Sequence, residues 1–310
     1  MDIQTDCEVA FFVSSSGHCS LDCAYCIVNP IVKHQPTLNF GDIEFLLDST
    51  GKKAFLAFSG KGDFFAGYKK NERLLEKILE RNVEAAFDIN GVMIHEFPDL
   101  PPAALRKIRY LNLAMHFVQL TQKKALEEWE KNALLLICRM QSVNSAAELE
   151  KSLQVNFILS PGESAHWEPA LIYYEERIFR KTGQKMVLIK DILANFSEDD
   201  GSRISRLNER FSHMVKYVKE EDFAARFALH EFVLCPAGSS YFRVWNDGAI
   251  QGCPYVSELS DCGNAKNRTF RPTKGLHPCR EAKYCDCYAI AVIGKMVFPD
   301  QPRLSVGDLT

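Results

Sequence analysis

Along the first two-thirds of the chain, short apolar runs alternate with segments whose apolar residues recur at helical spacing. The runs cover residues 8–14, 54–58, 83–89, 108–115, 154–159 and 185–189, each short and β-rich enough to predict a strand. Between them, 68–81 sets Leu74, Leu75, Ile78 and Leu79 on one helical face with charges opposite. Pro101-Pro102 opens a short helix, 121–140 predicts a long one, and 168–181 predicts another with Gly183 as its stop. After the sixth run, Ile204, Leu207, Phe211, Met214, Val215 and Val218 also repeat at helical spacing. Breakers close several strands: Ser59-Gly60-Lys61-Gly62-Asp63, Asn90-Gly91 and Pro161-Gly162.

This alternation calls for parallel βα units in an α/β fold. Strands that are apolar throughout fit a sheet covered by helices. Six units can make an open doubly wound sheet or a partial barrel, and in both the ligand site lies at the carboxyl ends of the strands. Near residue 225 the alternation stops while glycine, proline and cysteine rise, which predicts a boundary between a domain at 1–224 and a small cysteine-rich unit at 225–310. There, Asn246-Asp247-Gly248 between Phe242-Arg243-Val244-Trp245 and Ala249-Ile250 predicts a hairpin.

Composition adds little until the cysteines are counted. The 310 residues are 46% apolar and 25% charged, ordinary for a globular chain. A net charge of −3, from 37 basic and 40 acidic residues, leaves no basic excess for phosphates, so no nucleic-acid partner is expected. Apolar stretches such as 133–138 and 289–293 are too short for a bilayer, so no membrane partner is expected either. The opening Met-Asp-Ile-Gln-Thr-Asp lacks the basic and apolar parts of a secretory signal, and a cytoplasmic protein is expected.

Against this background the chain carries 11 cysteines. Cys19, Cys23 and Cys26 crowd into eight residues; Cys235, Cys253, Cys262, Cys279, Cys285 and Cys287 fill the last quarter; only Cys7 and Cys138 stand apart. Clustered thiols in a reducing compartment point to metal or redox chemistry before disulfides. The isolated Cys7 and Cys138 are expected in the core.

The first group is a Cys-x3-Cys-x2-Cys loop directly after the first strand. Three thiolates can hold three irons of a cubane cluster and leave the fourth iron open for chemistry. A zinc site completed by His18 or Asp22 is the alternative. With Tyr25 immediately before the third cysteine, this loop resembles that of the radical S-adenosylmethionine (SAM) superfamily. The resemblance implies a partial (βα)6 TIM-like barrel and a [4Fe-4S] cluster on Cys19, Cys23 and Cys26. It further implies reductive cleavage of SAM to methionine and a 5′-deoxyadenosyl radical, with Tyr25 against the adenine. The loop Gly60-Lys61-Gly62-Asp63 after the second strand resembles the family's glycine-rich segment for the SAM amino group, with Asp63 where the family has Glu. A plain strand-to-helix connection explains that loop as well, and a simple turn explains Asn90-Gly91, which otherwise resembles a turn common in the family.

In the tail, the hairpin brings Cys235 and Cys253 towards one end of a ribbon, suited to one metal centre, with further ligands among Cys279, Cys285 and Cys287. Four thiolates on zinc would also satisfy this arrangement. The Cys-hairpin-Gly-x4-Cys opening is similar to that of the SPASM and twitch auxiliary-cluster domains of radical SAM enzymes. That resemblance implies one auxiliary [4Fe-4S] cluster on Cys235, Cys253 and two of Cys279, Cys285 and Cys287, because Leu276 stands where the longer pattern has another cysteine. Cys262 is an inert thiol or a hydrogen-atom donor. His116, ending the fourth strand, is a substrate contact or a satisfied core histidine.

The expected function is therefore a radical SAM enzyme that oxidatively modifies its substrate with help from the auxiliary cluster. Peptide or protein maturation leads, ahead of dehydrogenation or epimerisation of a small polyol or amino sugar. Expected partners are a reductant such as flavodoxin or ferredoxin and a separate leader-binding protein. A two-site electron-transfer protein is the non-enzymatic rival.

Overall fold

A computed structural model describes residues 6–14, 17–23, 25–26, 37–60, 62–191, 194–217, 237–253, 256 and 259–275, with the backbone of 234–235 and 277–278. Seven parallel strands run in sequence order: β1 (Val9–Val13), β2 (Ala54–Phe58), β3 (Val83–Ile89), β4 (Ile108–Ala114), β5 (Leu153–Leu159), β6 (Met186–Lys190) and β7 (Val215–Tyr217). A doubly wound sheet reverses its strand order at a switch point, whereas a singly wound one does not. The unbroken order from β1 to β7 therefore decides between the two architectures, in favour of a partial barrel.

Helices cover the outside: α1 (Phe40–Thr50), α2 (Leu74–Glu80), α3 (Pro102–Leu105), α4 (Phe117–Gln122), α5 (Leu126–Gln141), α6 (Ala146–Ser152), α7 (Trp167–Tyr174), α8 (Arg180–Thr182) and α9 (Glu198–Arg210). The pleat divides each strand. Val9, Phe11 and Val13 face the helical layer with Ile43, Leu46, Leu56 and Phe58, while Phe12 lies on the opposite, inner side. Fully buried Trp129 and Trp167 anchor α5 and α7, and burying each large side chain contributes about 1.5–3 kcal/mol. No helix among the described residues is long and apolar enough to cross a membrane.

Several expected helices are shorter than the periodicity suggests. Only 74–80 of the 68–81 segment is α-helical; Arg73 precedes it at φ 50°, and Glu96 caps it by accepting the Glu76 amide at 2.9 Å. The 121–140 pattern splits into α4 and α5 at Lys124, which has φ 56°. The repeat from Ile204 onward spans two elements, because α9 stops at Arg210 and Val215 enters β7 beside β6. The helix α1 was not evident in the sequence; Asn39 and Asp42 form its capping box and Gly51 ends it. From α7 the helix passes through a π turn at Glu175–Phe179 into α8, and Gly183 terminates it as expected. Cys7 is buried as expected, but Cys138 is exposed, on the face of α5 turned away from its buried residues.

The tail begins with β8 (Leu234–Cys235), followed by β9 (Tyr241–Val244), β10 (Ala249–Gln251), β11 (Gly263–Asn264), β12 (Thr269–Phe270) and β13 (His277–Pro278). The hairpin of β9 and β10 forms around the expected turn, where Gly248 has φ 90°. β9 pairs parallel with β1, so the barrel sheet continues through β9, β10, β11 and β12 as one sheet of 11 strands among the described residues. Phe242 stacks on Phe11 at 5.5 Å across that join. The expected boundary near 225 falls at 218–233, outside the described residues.

Candidate active site

The loops at the carboxyl ends of β1, β2, β3 and β4 converge on the first cysteine group. Cys19 and Cys26 are exposed and Cys23 is half-buried. The Cys26 amide donates to the Cys23 carbonyl at 3.1 Å, and the Leu21 amide donates to Cys19 Sγ at 3.4 Å. Burial pushes the Cys23 thiol up to about 12, with the neighbouring Cys19 and Cys26 adding to the rise. Burial also raises Cys19, although the Leu21 amide opposes the rise. A metal takes such thiols as thiolates, so its binding at Cys19 and Cys23 releases protons.

Asp63 joins three of these loops. Its amide donates to the His18 carbonyl at 2.6 Å, while its carboxylate accepts the Phe65 amide at 2.9 Å and the Asn90 amide at 2.6 Å. The residue is 3% exposed, and burial pushes its pKa up to about 6 despite the bonds from Asn90, Phe65 and Ala66. Both carboxylate oxygens thus bind backbone amides, so the side chain is a brace between loops. Gly60 needs its φ of 97°, and a Cβ there would meet Ser14 Oγ at 2.9 Å. Gly62 has φ 85°, and Lys61 lies outside the described residues.

Tyr25 reaches across to β4. Its hydroxyl lies 2.6 Å from His116 Nδ1, with the rings stacked at 5.7 Å. Burial raises Tyr25 far above the ordinary phenol range and lowers His116 to about 4, so a neutral phenol and a neutral imidazole share this hydrogen bond. Lys123 holds the same loop from the other side through Asp22 at 2.7 Å.

Other residues at the site were not singled out by the sequence. Asn90, read as part of a turn, donates from Nδ2 to Cys19 Sγ at 3.4 Å and to Ser20 Oγ at 3.1 Å. Gln119 donates to Glu163 Oε1 at 2.6 Å, and burial raises the Glu163 carboxyl. Asp88, also raised by burial, accepts from Asn112 at 2.9 Å on the neighbouring strand. Arg243 of β9 stacks over Phe12 at 5.6 Å and Trp245 at 5.3 Å. A polar residue interrupting an apolar strand, as Asp88, Asn112 and Arg243 do, was the available signal.

In the tail, Cys253 is buried against Ala237 and Leu259. A Cβ on the preceding Gly252 would sit 2.5 Å from the Gly238 backbone, so the two ends of the ribbon touch there. Cys235 pairs with His277 in the β8–β13 ladder, two residues before Cys279. Cys279, Cys285 and Cys287 lie outside the described residues. Cys262 is 1% exposed and its thiol faces the Leu259 carbonyl at 3.8 Å.

No family model matches the chain, and no curated protein matches its sequence. Among solved structures, Native anSMEcpe with bound AdoMet is similar at a TM-score of 0.50 and 15% identity, over 84% of this chain and 78% of that one. Streptococcus suis SuiB bound to precursor peptide SuiA is a more distant likeness, at a TM-score of 0.46 and 12% identity, over 95% of this chain and 66% of that one. The chain has the fold of the radical SAM enzymes, with its three-cysteine loop following β1.

Proposed function

We propose that this protein is a radical SAM enzyme. The observation that carries the reading is the convergence of Cys19, Cys23 and Cys26 with the glycine loop after β2, at the carboxyl end of a partial barrel. Three thiols on one loop, two of them exposed and all lacking a disulfide partner, suit an iron–sulfur cluster with one open iron. The chemistry supplied by such a cluster is reductive cleavage of SAM to methionine and a 5′-deoxyadenosyl radical, which takes a hydrogen atom from the substrate.

The chain's own residues would bind and orient. Tyr25, held by His116, would pack against the adenine. The backbone carbonyls of Gly60, Lys61 and Gly62 would accept the SAM ammonium group, in a loop braced by Asp63. Asp88, Asn112 and Arg243, on the inner side of the strands, would meet the substrate. Family resemblance favours oxidation of a peptide or protein side chain over a small polyol or amino sugar. It also favours flavodoxin or ferredoxin as reductant and a separate leader-binding protein.

Residues 225–310 would form the auxiliary-cluster unit. Cys235 and Cys253 would supply two ligands, and Cys279, which follows Pro278 in the sequence, a third; Cys285 or Cys287 would complete the set. Cys262, sealed in the core, would be structural.

Anaerobic reconstitution with iron and sulfide, followed by reduction with dithionite in the presence of SAM, tests the reading. The expected product is 5′-deoxyadenosine, abolished in Cys19→Ala, Cys23→Ala and Cys26→Ala. No 5′-deoxyadenosine from cluster-loaded wild-type protein would overturn it, and zinc in place of iron would overturn both cluster assignments.

A further inference from the structure

We infer that Asn90 is a positioning residue that sets the redox poise of the cluster on Cys19, Cys23 and Cys26. The inference rests on the proposed cluster and adds a role for a residue outside its ligand set.

Asn90 is 5% exposed, immediately after β3. Its amide orientation is fixed by chemistry. Oδ1 accepts the Val92 amide at 3.0 Å, so the other end of the side chain must be the donor. That donor, Nδ2, points at Cys19 Sγ at 3.4 Å and at Ser20 Oγ at 3.1 Å. The backbone is fixed too, because the Asn90 amide donates to Asp63 Oδ2 at 2.6 Å. The next residue, Gly91, has φ 74°, and a Cβ there would lie 2.4 Å from Leu113 Cδ1. Three constraints therefore hold one N–H against one ligand sulfur.

An N–H donor draws electron density from a thiolate, and hydrogen bonds to ligand sulfurs are among the levers that set iron–sulfur potentials. The reduced cluster carries the extra negative charge, so the bond stabilises it more than the oxidised cluster and raises the potential. Cys19 also accepts from the Leu21 amide at 3.4 Å. That bond comes from the backbone of the loop itself, whereas the Asn90 bond comes from a different strand and depends on how β3 is seated.

The test is an anaerobic potentiometric titration of the reduced cluster by electron paramagnetic resonance. It uses wild-type holoprotein, Asn90→Ala and Asn90→Asp, without SAM. Asn90→Asp keeps an acceptor for Val92 and removes the donor while adding a carboxylate charge, so Asn90→Ala, which adds none, carries the comparison. Both variants are expected at lower potential, with the reduced-to-oxidised ratio at fixed potential falling roughly three- to tenfold; tenfold is about 59 mV for a one-electron couple. Potentials equal to wild type in either loaded variant would overturn the inference. If neither variant takes up a cluster, the wild-type protein in D2O decides by pulsed spectroscopy. Two exchangeable deuterons close to a ligand sulfur support it, and one, from Leu21 alone, overturns it. Failure of the underlying reading looks different: the wild-type protein would then hold no cluster, or Cys19→Ala would hold it unchanged.

Discussion

The hydroxyl of Tyr25 and Nδ1 of His116 lie 2.6 Å apart, tying the cysteine loop after β1 to the end of β4. Residues 91 positions apart thereby fix the aromatic ring that stands between Cys23 and Cys26 in the sequence. Tyr25→Phe keeps the ring and leaves the imidazole nitrogen without its hydrogen-bond partner. Losing a partner at a buried group costs about 1–3 kcal/mol, which a urea midpoint would show. Faster alkylation of Cys23 is expected in the same variant, because the loop is then held by fewer bonds.

His116 also gives the protein an acid-side sensitivity. Burial lowers it from 6.5 to about 4, so the folded state holds the neutral ring more firmly than the unfolded state does. Its contribution is complete above pH 6.5 and is lost as pH falls towards 4. Comparing wild-type protein with His116→Gln, the stability difference should be largest near pH 7 and shrink by on the order of 2–3 kcal/mol by pH 4. Denaturant titrations at four or five pH values would measure it.

Asp63 works with the opposite sign. Its pKa rises from 3.8 to about 6, so stability from this group is highest at low pH and declines as pH climbs from 4 through 6. Asp63→Ala leaves the buried amides of Phe65 and Asn90 unpaired, with an expected loss of about 2–5 kcal/mol. The same variant should lose cluster occupancy, because the carboxylate that seats the Asn90 backbone beside Cys19 is gone. Iron content per folded chain after reconstitution would check it.

Two glycines at left-handed backbone should respond unequally to the same change. At Gly51, φ is 62° and a Cβ meets nothing, so Gly51→Ala should cost about 1–2 kcal/mol of backbone strain alone. At Gly91 the Cβ would also drive into Leu113 and Trp129, and the cost should exceed the Gly51 value by at least about 1–3 kcal/mol. Thermal midpoints of the two variants give the comparison directly.

The proposed auxiliary site can be separated from the proposed cluster on Cys19, Cys23 and Cys26 by iron counting. Two cubane clusters hold about eight irons, and Cys253→Ser should leave about four. That variant should still form 5′-deoxyadenosine from SAM, while turnover of the substrate is lost. Retention of about eight irons would remove Cys253 from the ligand set.

Much of the barrel was legible because its strands are short, apolar and separated by Gly, Pro or Asn punctuation. The cysteine loop was legible because Cys19, Cys23 and Cys26 crowd into eight residues of sequence. What the sequence hid was interaction across strands. Asn90-Gly91 reads locally as a turn, and only the packing of β3 beside the loop after β1 turns its amide towards Cys19. Asp63 reads as the end of a glycine loop, and the sequence does not reveal that backbone amides from two loops bind its carboxylate. Helical periodicity likewise failed at Met214 and Val215, where Met214 leads into β7 and Val215 begins it, both beyond the end of α9.

The parallel pairing of β9 with β1 has a bearing on how the chain is made. Residues 10–13 wait for residues 241–244, a separation of more than two hundred positions. Until that stretch leaves the ribosome, β1 is an unprotected sheet edge that carries the first cysteine loop on its end. Long-range closures of this kind form slowly. Completion of the sheet around the first cysteine loop is thus timed by synthesis of the last quarter of the chain, so a ribosome stalled before residue 241 would present the three thiols on an unfinished sheet.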